Sequence, residues 1–316
     1  MTPAGDVPTV VAVVGPTATG KSALGIALAE WLGGEVVSCD STAVYRRFDI
    51  GTDKVPPAER RGIPHHLIDI VDPTTIYSAA EYARDASKVI GEIVARGRVP
   101  IVVGGTGFYY RALTRGLFPG PGRDDALRRR LERVASRRGP ACLHRWLQRV
   151  DPPSAQRIQP RDLKRLVRAL EVYRVTGRTL TAHFADTRSP LAEFRVVTLA
   201  LRIPADLTAA RVARRVDLQL ARGVVQEVRD ILDSGVPETA LPFTGLVYRQ
   251  VLELLHGIRD EAATRALIVQ DNRRYARRQL IWFRKEPRLL WLSTPGEQEI
   301  TVEAARAALC AEGVIR

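Results

Sequence analysis

Apolar residues fill positions 10–14 without interruption, and the chain then turns abruptly to glycine, proline and threonine. A short, continuous apolar run bounded by glycine is the pattern of a strand buried on both faces, and it predicts a strand over 9–14. Apolar and polar positions next follow helical spacing over 21–32, where Gly33-Gly34 ends the helix. Val36-Val37 begins a second strand that leads to Ser38-Cys39-Asp40. Ser78-x-x-Glu81 is a capping box opening a helix over 78–96, and Gly97 stops it. A third strand over 99–103 breaks at Gly104-Gly105-Thr106-Gly107. Strands alternating with helices in this way predict a doubly wound parallel sheet, whose ligands bind at the carboxyl ends of the strands. Asp40 and Thr106 are therefore expected beside the loop that follows the first strand.

The pattern changes after Phe118-Pro119-Gly120-Pro121-Gly122, a cluster of breakers that reads as a boundary. From about 123 to 190 it is helical and strongly basic, with Arg188-Ser189-Pro190 as the exit. Alternation returns at Arg195–Leu201 as another sheet strand. Helices are predicted at about 206–234, 246–256 and 261–285, then a strand at Leu289–Leu292 and a last helix from Thr301. The expected organisation is a core split into residues 1–120 and 193–316, interrupted by a helical insertion over 121–192.

Charge sharpens that division. The 316 residues carry a net charge of +13, but residues 1–110 sum to −2, 111–200 to +12 and 201–316 to +3. A compositional bias toward arginine would raise every third alike, so the concentration points to a polyanion partner, with nucleic acid the leading candidate. A solvated helical face is the alternative that composition leaves open. No stretch reaches the ~18 apolar residues of a membrane span, and Met1–Asp6 lacks the order of a signal peptide. Cys39, Cys142 and Cys310 show neither metal nor redox spacing, which suits a reducing cytosol.

Candidate chemistry begins at Gly15-Pro16-Thr17-Ala18-Thr19-Gly20-Lys21-Ser22, which is Gly-x-x-x-x-Gly-Lys-Ser between a strand and a helix. The glycines let successive N–H groups face one anion, and the helix start adds its dipole. Lys21 supplies a point charge, and the Ser22 hydroxyl is placed to ligate Mg²⁺. With this loop the fold class becomes α/β, a P-loop NTPase-like parallel-sheet core with a basic all-helical insertion. The Asp40 carboxylate can serve as general base, metal-shell ligand or helix cap. Thr106 is a hydroxyl between two glycines, where a ligand or another backbone approaches closely. His65-His66 has no further histidine or cysteine nearby and suits structural hydrogen bonds better than a metal. In 270–284, Arg273, Arg277 and Arg284 share one helix face while Arg274 and Arg278 form a second stripe, with Tyr275, Trp282 and Phe283 among them. Phosphates would neutralise such a cluster, and the planar groups suit bases. Arg211 and Arg215, four apart, supply a further diphosphate clamp.

In this company the chain resembles the tRNA dimethylallyltransferase (isopentenyl tRNA transferase) family over nearly its whole length. The likeness rests on Gly15–Ser22, Asp40-Ser41 with Tyr45, Asp49–Lys54, Pro64–Asp69, Val103–Tyr109, Asp162–Glu171 and Arg277–Arg284, in that order and spacing. It implies transfer of a dimethylallyl group from its diphosphate to N6 of adenosine 37, beside the tRNA anticodon. It also implies a Mg²⁺ cofactor, the anticodon stem-loop as partner, no membrane, and a cytoplasmic monomer. Asp40 becomes the base, with Thr106, Arg211 and Arg215 assisting the leaving group bound by Gly15–Ser22. The implied tRNA contacts are Asp40, Ser41, Thr42, Ala43, Thr106, Arg128, Lys164, Arg165, Leu166, Val167, Arg168, Thr244, Gly245, Leu246, Val247, Tyr248, Arg249, Arg273, Arg277, Arg278 and Arg284. Two positions depart from the family pattern. Ala43 stands where relatives commonly have glutamine, so a polar contact in the acceptor region is expected to be missing; Val247 stands where they usually have glycine, so the local backbone or the nucleotide fit there is expected to differ, since a β-branched residue resists positive φ. A P-loop kinase of a small metabolite or nucleoside, or a nucleotide-gated RNA-binding protein, remains an alternative at this stage.

Overall fold

The computed structural model describes residues 7–118 and 120–314; Met1–Asp6 and Pro119 of the breaker cluster lie outside the described residues. Contacts divide the chain into two units, one made of residues up to 114 with those from 190 onward, the other of 115–189.

The larger unit begins with β1 (Thr9–Val14) and α1 (Lys21–Leu32), which stops on Gly33 in the left-handed conformation. There follow β2 (Glu35–Ser38), β3 (His65–His66), α2 (Ala79–Ala95), β4 (Pro100–Gly104) and α3 (Gly107–Arg115). The capping box is formed reciprocally by Ser78 and Glu81. In the helical unit lie α4 (Asp125–Arg138), α5 (Ala141–Val150), α6 (Pro152–Arg157), α7 (Leu163–Thr176) and α8 (Leu180–Ala185). The chain then returns through β5 (Arg195–Leu201), α9 (Ala205–Ala221), α10 (Val224–Asp233), α11 (Tyr248–Leu255), α12 (Glu261–Phe283), β6 (Leu289–Leu292) and α13 (Glu299–Ala311).

All six strands are parallel, in the order β3-β2-β4-β1-β5-β6. The apolar strand β1 is central, and its residues 10–14 are at most 1% exposed. Against the sheet pack Leu24 and Leu28 of α1 and Ala305 and Leu309 of α13. Because β1 is flanked by β4 and β5, the loop after it opens at the crevice where ligands of such sheets bind. One expectation needs correction. The single helix over 206–234 is two, since Gly223 at φ 88° breaks the ladder between α9 and α10. His65-His66 is an edge strand paired with Val36-Val37, too short to show any periodicity in sequence. Its histidines serve structure: His66 Nε2 lies 2.7 Å from Glu35 Oε2 and His65 Nδ1 2.8 Å from the Ile63 carbonyl.

The helical unit has its own core of Leu131, Leu143, Leu147, Leu166, Leu170 and Val172. Within it Glu171 is fully buried and held by Arg128 (2.7 and 2.8 Å) and Arg168 (2.7 Å). Burial opposes ionisation of Glu171, but the two guanidiniums and the Asp124 N–H outweigh it and bring the carboxyl down to about 2. The stability this ion contributes is complete above the unfolded carboxyl pKa of ~4.3 and is lost as pH falls through about 2. Urea unfolding followed by helix signal is expected to weaken over that window in the parent protein. In Glu171→Gln the weakening is smaller, and equal pH profiles would refute the assignment.

Candidate active site

A cleft of about 600 Å³ opens at the carboxyl ends of the strands, and Thr17, Lys21, Ser22, Asp40–Ala43, Asp53, Lys54, Arg215, Thr244–Val247, Tyr275, Arg278 and Gln279 line it. The loop Gly15–Ser22 forms one wall. Gly20 sits at φ 87°, and a Cβ there would come within 2.1 Å of the Glu297 carboxylate and 2.6 Å of the Gly296 nitrogen. Glycine is thus required by both conformation and space. The Gly296 N–H donates to the Thr19 carbonyl (2.9 Å), so the segment before α13 braces the loop. Two arginines of α9 brace it too. Arg211 donates to the Ala18 carbonyl at 2.7 Å and pairs with Glu297, whereas Arg215 reaches the Thr17 hydroxyl at 2.7 Å and pairs with Asp53 at 3.1 Å. Of the two, Arg215 lines the cleft.

Lys21 Nζ donates to the Pro16 carbonyl at 2.6 Å. Burial, with the Arg215 guanidinium beside it, lowers its pKa to about 8 against the pull of Asp40 and Asp53. An incoming anion would restore the charge of such an ammonium.

Asp40 follows β2. Its Oδ1 accepts from the Thr42 N–H (2.8 Å) and the Thr42 hydroxyl (2.7 Å), a local turn that fixes the carboxylate. Oδ2 has no hydrogen-bond partner among the described residues. The Thr106 hydroxyl accepts from the Ser41 N–H at 3.0 Å, tying the turn after β4 to the turn after β2. Cys39 lies behind this pair, and burial pushes its thiol up to about 12, which leaves it protonated and unreactive.

The far wall comes from α11, α12 and the segment before them. Val247 adopts φ 73°, ψ −61°, so the different backbone expected for valine is not found. The neighbouring contacts impose it: Tyr248 is buried, donating to Glu227 Oε2 (2.8 Å) and accepting from the Gly51 N–H (3.0 Å). The Val251 N–H also caps the Val247 carbonyl (2.9 Å). Such a backbone at a β-branched residue costs about 1–3 kcal/mol. Helix α12 divides its charge in a way the sequence pattern did not show. Arg278 lies over the Tyr275 ring at 5.7 Å and lines the cleft, while Arg273, Arg274, Arg277 and Arg284 line a separate groove with Arg202.

Several residues expected to face RNA have other work. Leu166 and Val167 are core of the helical unit, Arg128 and Arg168 neutralise Glu171, and the Tyr248 side chain is buried. Lys164 and Arg165 are exposed, as are Thr244 and Arg249, the last paired with Asp271. Sequence reasoning missed Gln279, Lys54 and Glu227. The Lys54 ammonium holds together the Tyr45 carbonyl, Asp49 and Asp69, all within 2.6 Å, and Glu227 accepts the N–H groups of Asp49 and Ile50 at 2.7 Å. For Gln279 a signal existed: it falls on the buried stripe of α12 with Ile268, Ala276 and Phe283.

Ser22, Asp40 and Asp53 offer oxygen donors to the cleft, the chemistry that suits Mg²⁺. No group of three or more histidine, cysteine, aspartate or glutamate side chains gathers to hold a metal among the described residues. No helix of the described residues is long and apolar enough to cross a membrane.

A Gly-x-x-x-x-Gly-Lys-Ser loop and a carboxylate at the carboxyl edge of a parallel sheet, with Arg215 and Arg278 in the same cleft, define an α/β protein of the P-loop NTPase-like class. Comparison with known proteins narrows this. The IPP transferase family model matches residues 43–286. A tRNA dimethylallyltransferase of Thermomicrobium roseum is 48% identical over 306 residues, covering 95% of this chain and 91% of the relative, and one of Geobacter metallireducens is 45% identical, covering 91% and 93%. The crystal structure of the tRNA isopentenylpyrophosphate transferase of Bacillus halodurans superposes with a TM-score of 0.72 at 34% identity, covering 96% of both chains. A eukaryotic dimethylallyltransferase acting on tRNA gives 0.77 at 27% identity, covering 97% of this chain and 79% of that one. The chain belongs to the IPP transferase family.

Proposed function

We propose that the protein transfers the dimethylallyl group of dimethylallyl diphosphate to N6 of adenosine 37 in tRNA and releases diphosphate. One observation carries the reading: the phosphate loop with Lys21 shares a cleft with Asp40, one of whose oxygens has no partner among the described residues. The exocyclic amine is conjugated with the purine and is a weak nucleophile, so its proton must leave as the N–C bond forms. Asp40 Oδ2 takes that proton. The bond from the allylic carbon to the diphosphate oxygen breaks, and its electron pair leaves with the diphosphate. Loop N–H groups and Lys21 stabilise the charge that builds there, with Arg215 alongside and Arg211 holding the loop from behind. Ser22, together with the substrate phosphates, would hold Mg²⁺, which when bound would supply further charge neutralisation. Thr106 acts through Ser41 to hold the Asp40 turn in place.

The acceptor base has to leave its stack to reach this cleft, and the turns Ser41–Ala43 and Thr244–Val247 are the walls that would receive it. Cationic surface supports an RNA partner. Arg129, Arg130, Arg133, Arg137 and Arg138 on α4 are exposed with no carboxylate partner among the described residues, as are Arg273, Arg277 and Arg284 on α12. Through these, with Lys164 and Arg165, the anticodon stem-loop is bound. The insertion over 121–192 serves that purpose, and the protein acts as a monomer. A small-molecule kinase shares the loop and the carboxylate but gains nothing from such a surface. Radiolabelled dimethylallyl diphosphate, Mg²⁺ and unmodified tRNA decide the matter: label enters the tRNA if the reading holds, and phosphate transfer from ATP without it favours the kinase. In Arg273→Ala/Arg277→Ala, tRNA binding is expected to weaken, and the slope of log affinity against log salt to fall by about 2. An unchanged slope would return that helix face to ordinary solvated surface.

A further inference from the structure

Gln279 is uncharged and takes no proton in the transfer, yet it joins the two turns on which the transfer depends. Its Oε1 accepts the Thr17 N–H at 2.8 Å, and its Nε2 donates to the Gly105 carbonyl at 2.8 Å. Both bonds are buried, and the side chain is only 7% exposed. A carboxamide is the side chain that offers one acceptor and one donor at this reach, so it matches an N–H on one strand-end loop and a C=O on the other. The seat is built for it: a Cβ on Gly105 would come within 2.4 Å of Nε2 and 3.2 Å of the Gly15 carbonyl. One helical turn earlier, the Tyr275 hydroxyl lies beside Thr106 and Gln279.

Gln279 also decides which donors of the phosphate loop are open. Pro16 has no N–H, and the N–H of Thr17 is consumed by the glutamine. The donors left to converge on an anion therefore begin at Ala18, next to Lys21 and the dipole of α1. The Thr17 side chain meanwhile is turned to Arg215.

We infer that Gln279 is a positioning residue for the diphosphate: it fixes the binding shape of the phosphate loop and locks the Thr106 turn into the same frame. The inference rests on reading the loop as a diphosphate cradle. Removing the carboxamide leaves a buried N–H and a buried C=O without partners, and each would be free to rotate out of the geometry an anion needs.

Gln279→Leu keeps the bulk without either bond, and Gln279→Glu keeps the shape while replacing the donor by an anion. Calorimetry with inorganic pyrophosphate and Mg²⁺ is expected to show binding weaker by about tenfold in both, with KM for dimethylallyl diphosphate rising in parallel. Affinity for tRNA alone, by filter binding, stays within about twofold. For Gln279→Glu the deficit shrinks as pH is lowered and the acid regains an O–H donor, a dependence that lost packing would not produce. If Gln279→Leu does not fold, this isosteric variant carries the test. A parent protein that binds pyrophosphate beside variants that bind it equally well, with only the unfolding temperature changed, overturns the inference alone. A parent protein that does not bind pyrophosphate overturns the cradle and the inference with it.

Discussion

Asp40→Asn is expected to lower the single-turnover rate of prenyl transfer by about 10²–10⁴-fold while leaving tRNA affinity unchanged. The separation follows from the two oxygens of this carboxylate. Oδ1 is structural, holding the Thr42 N–H and hydroxyl at 2.8 and 2.7 Å, and an asparagine carbonyl accepts both bonds equally well. Oδ2 has no partner among the described residues, and asparagine puts an NH₂ there, which donates and has no basic lone pair for the leaving proton. The turn therefore survives and the base does not. Asp40→Ala differs in kind, since it also gives up the turn, at about 1 kcal/mol, and disturbs Ser41 and through it Thr106. Rapid mixing of prebound tRNA with labelled dimethylallyl diphosphate reads the rate directly. Asn turnover within a few-fold of the parent would show that the proton leaves by another route.

Why Asp40 and the loop could be read from sequence, while the partners of Gln279 could not, is a matter of range. The strand over 9–14, the loop, the helix ending at Gly33 and the capping box at Ser78 are each specified by residues within a few positions of one another, and the structure has all of them. The carboxyl-edge rule then brings Asp40 and Thr106 to the loop without further information. The long-range polar pairs leave no such mark. Gln279 meets Thr17 across 262 residues, Glu227 meets Asp49 across 178, and neither helix's own sequence names the distant partner. The basic helices show the opposite failure. Sequence shows the arginines plainly but not their partners, so Arg128 and Arg168 look like RNA ligands until Glu171 is found between them. Val247 is a third case. Local preference argues against positive φ, and the two hydrogen bonds of the adjacent, buried Tyr248 prevail.

Lys21→Met is expected to move affinity and stability in opposite directions. The stem of the side chain is kept, so packing changes little, but the point charge on the diphosphate is gone, and pyrophosphate binding should weaken by about 10²-fold. The folded protein, by contrast, should melt at a higher temperature. Burial and Arg215 hold the Lys21 pKa at about 8 against 10.5 for the free group, so below pH 8 the fold carries an ammonium it would rather release. The native state binds fewer protons than the unfolded chain between those values, so this site adds stability as pH rises from about 8 to 10.5 and works against stability below that window. Methionine removes the burden at every pH, and its advantage in melting temperature is largest at neutral pH and fades as pH rises from about 8 to 10.5. The same depression sets the pH profile of the parent enzyme. Above about 8 the ammonium is neutral before the anion arrives, so pyrophosphate binding must take up a proton, and affinity falls as pH increases. Calorimetry in two buffers of different ionisation enthalpy measures that proton uptake at pH 8.5–9. Binding without proton uptake there, or a methionine variant that melts lower than the parent at neutral pH, would mean that Lys21 is not the strained cation of the cradle.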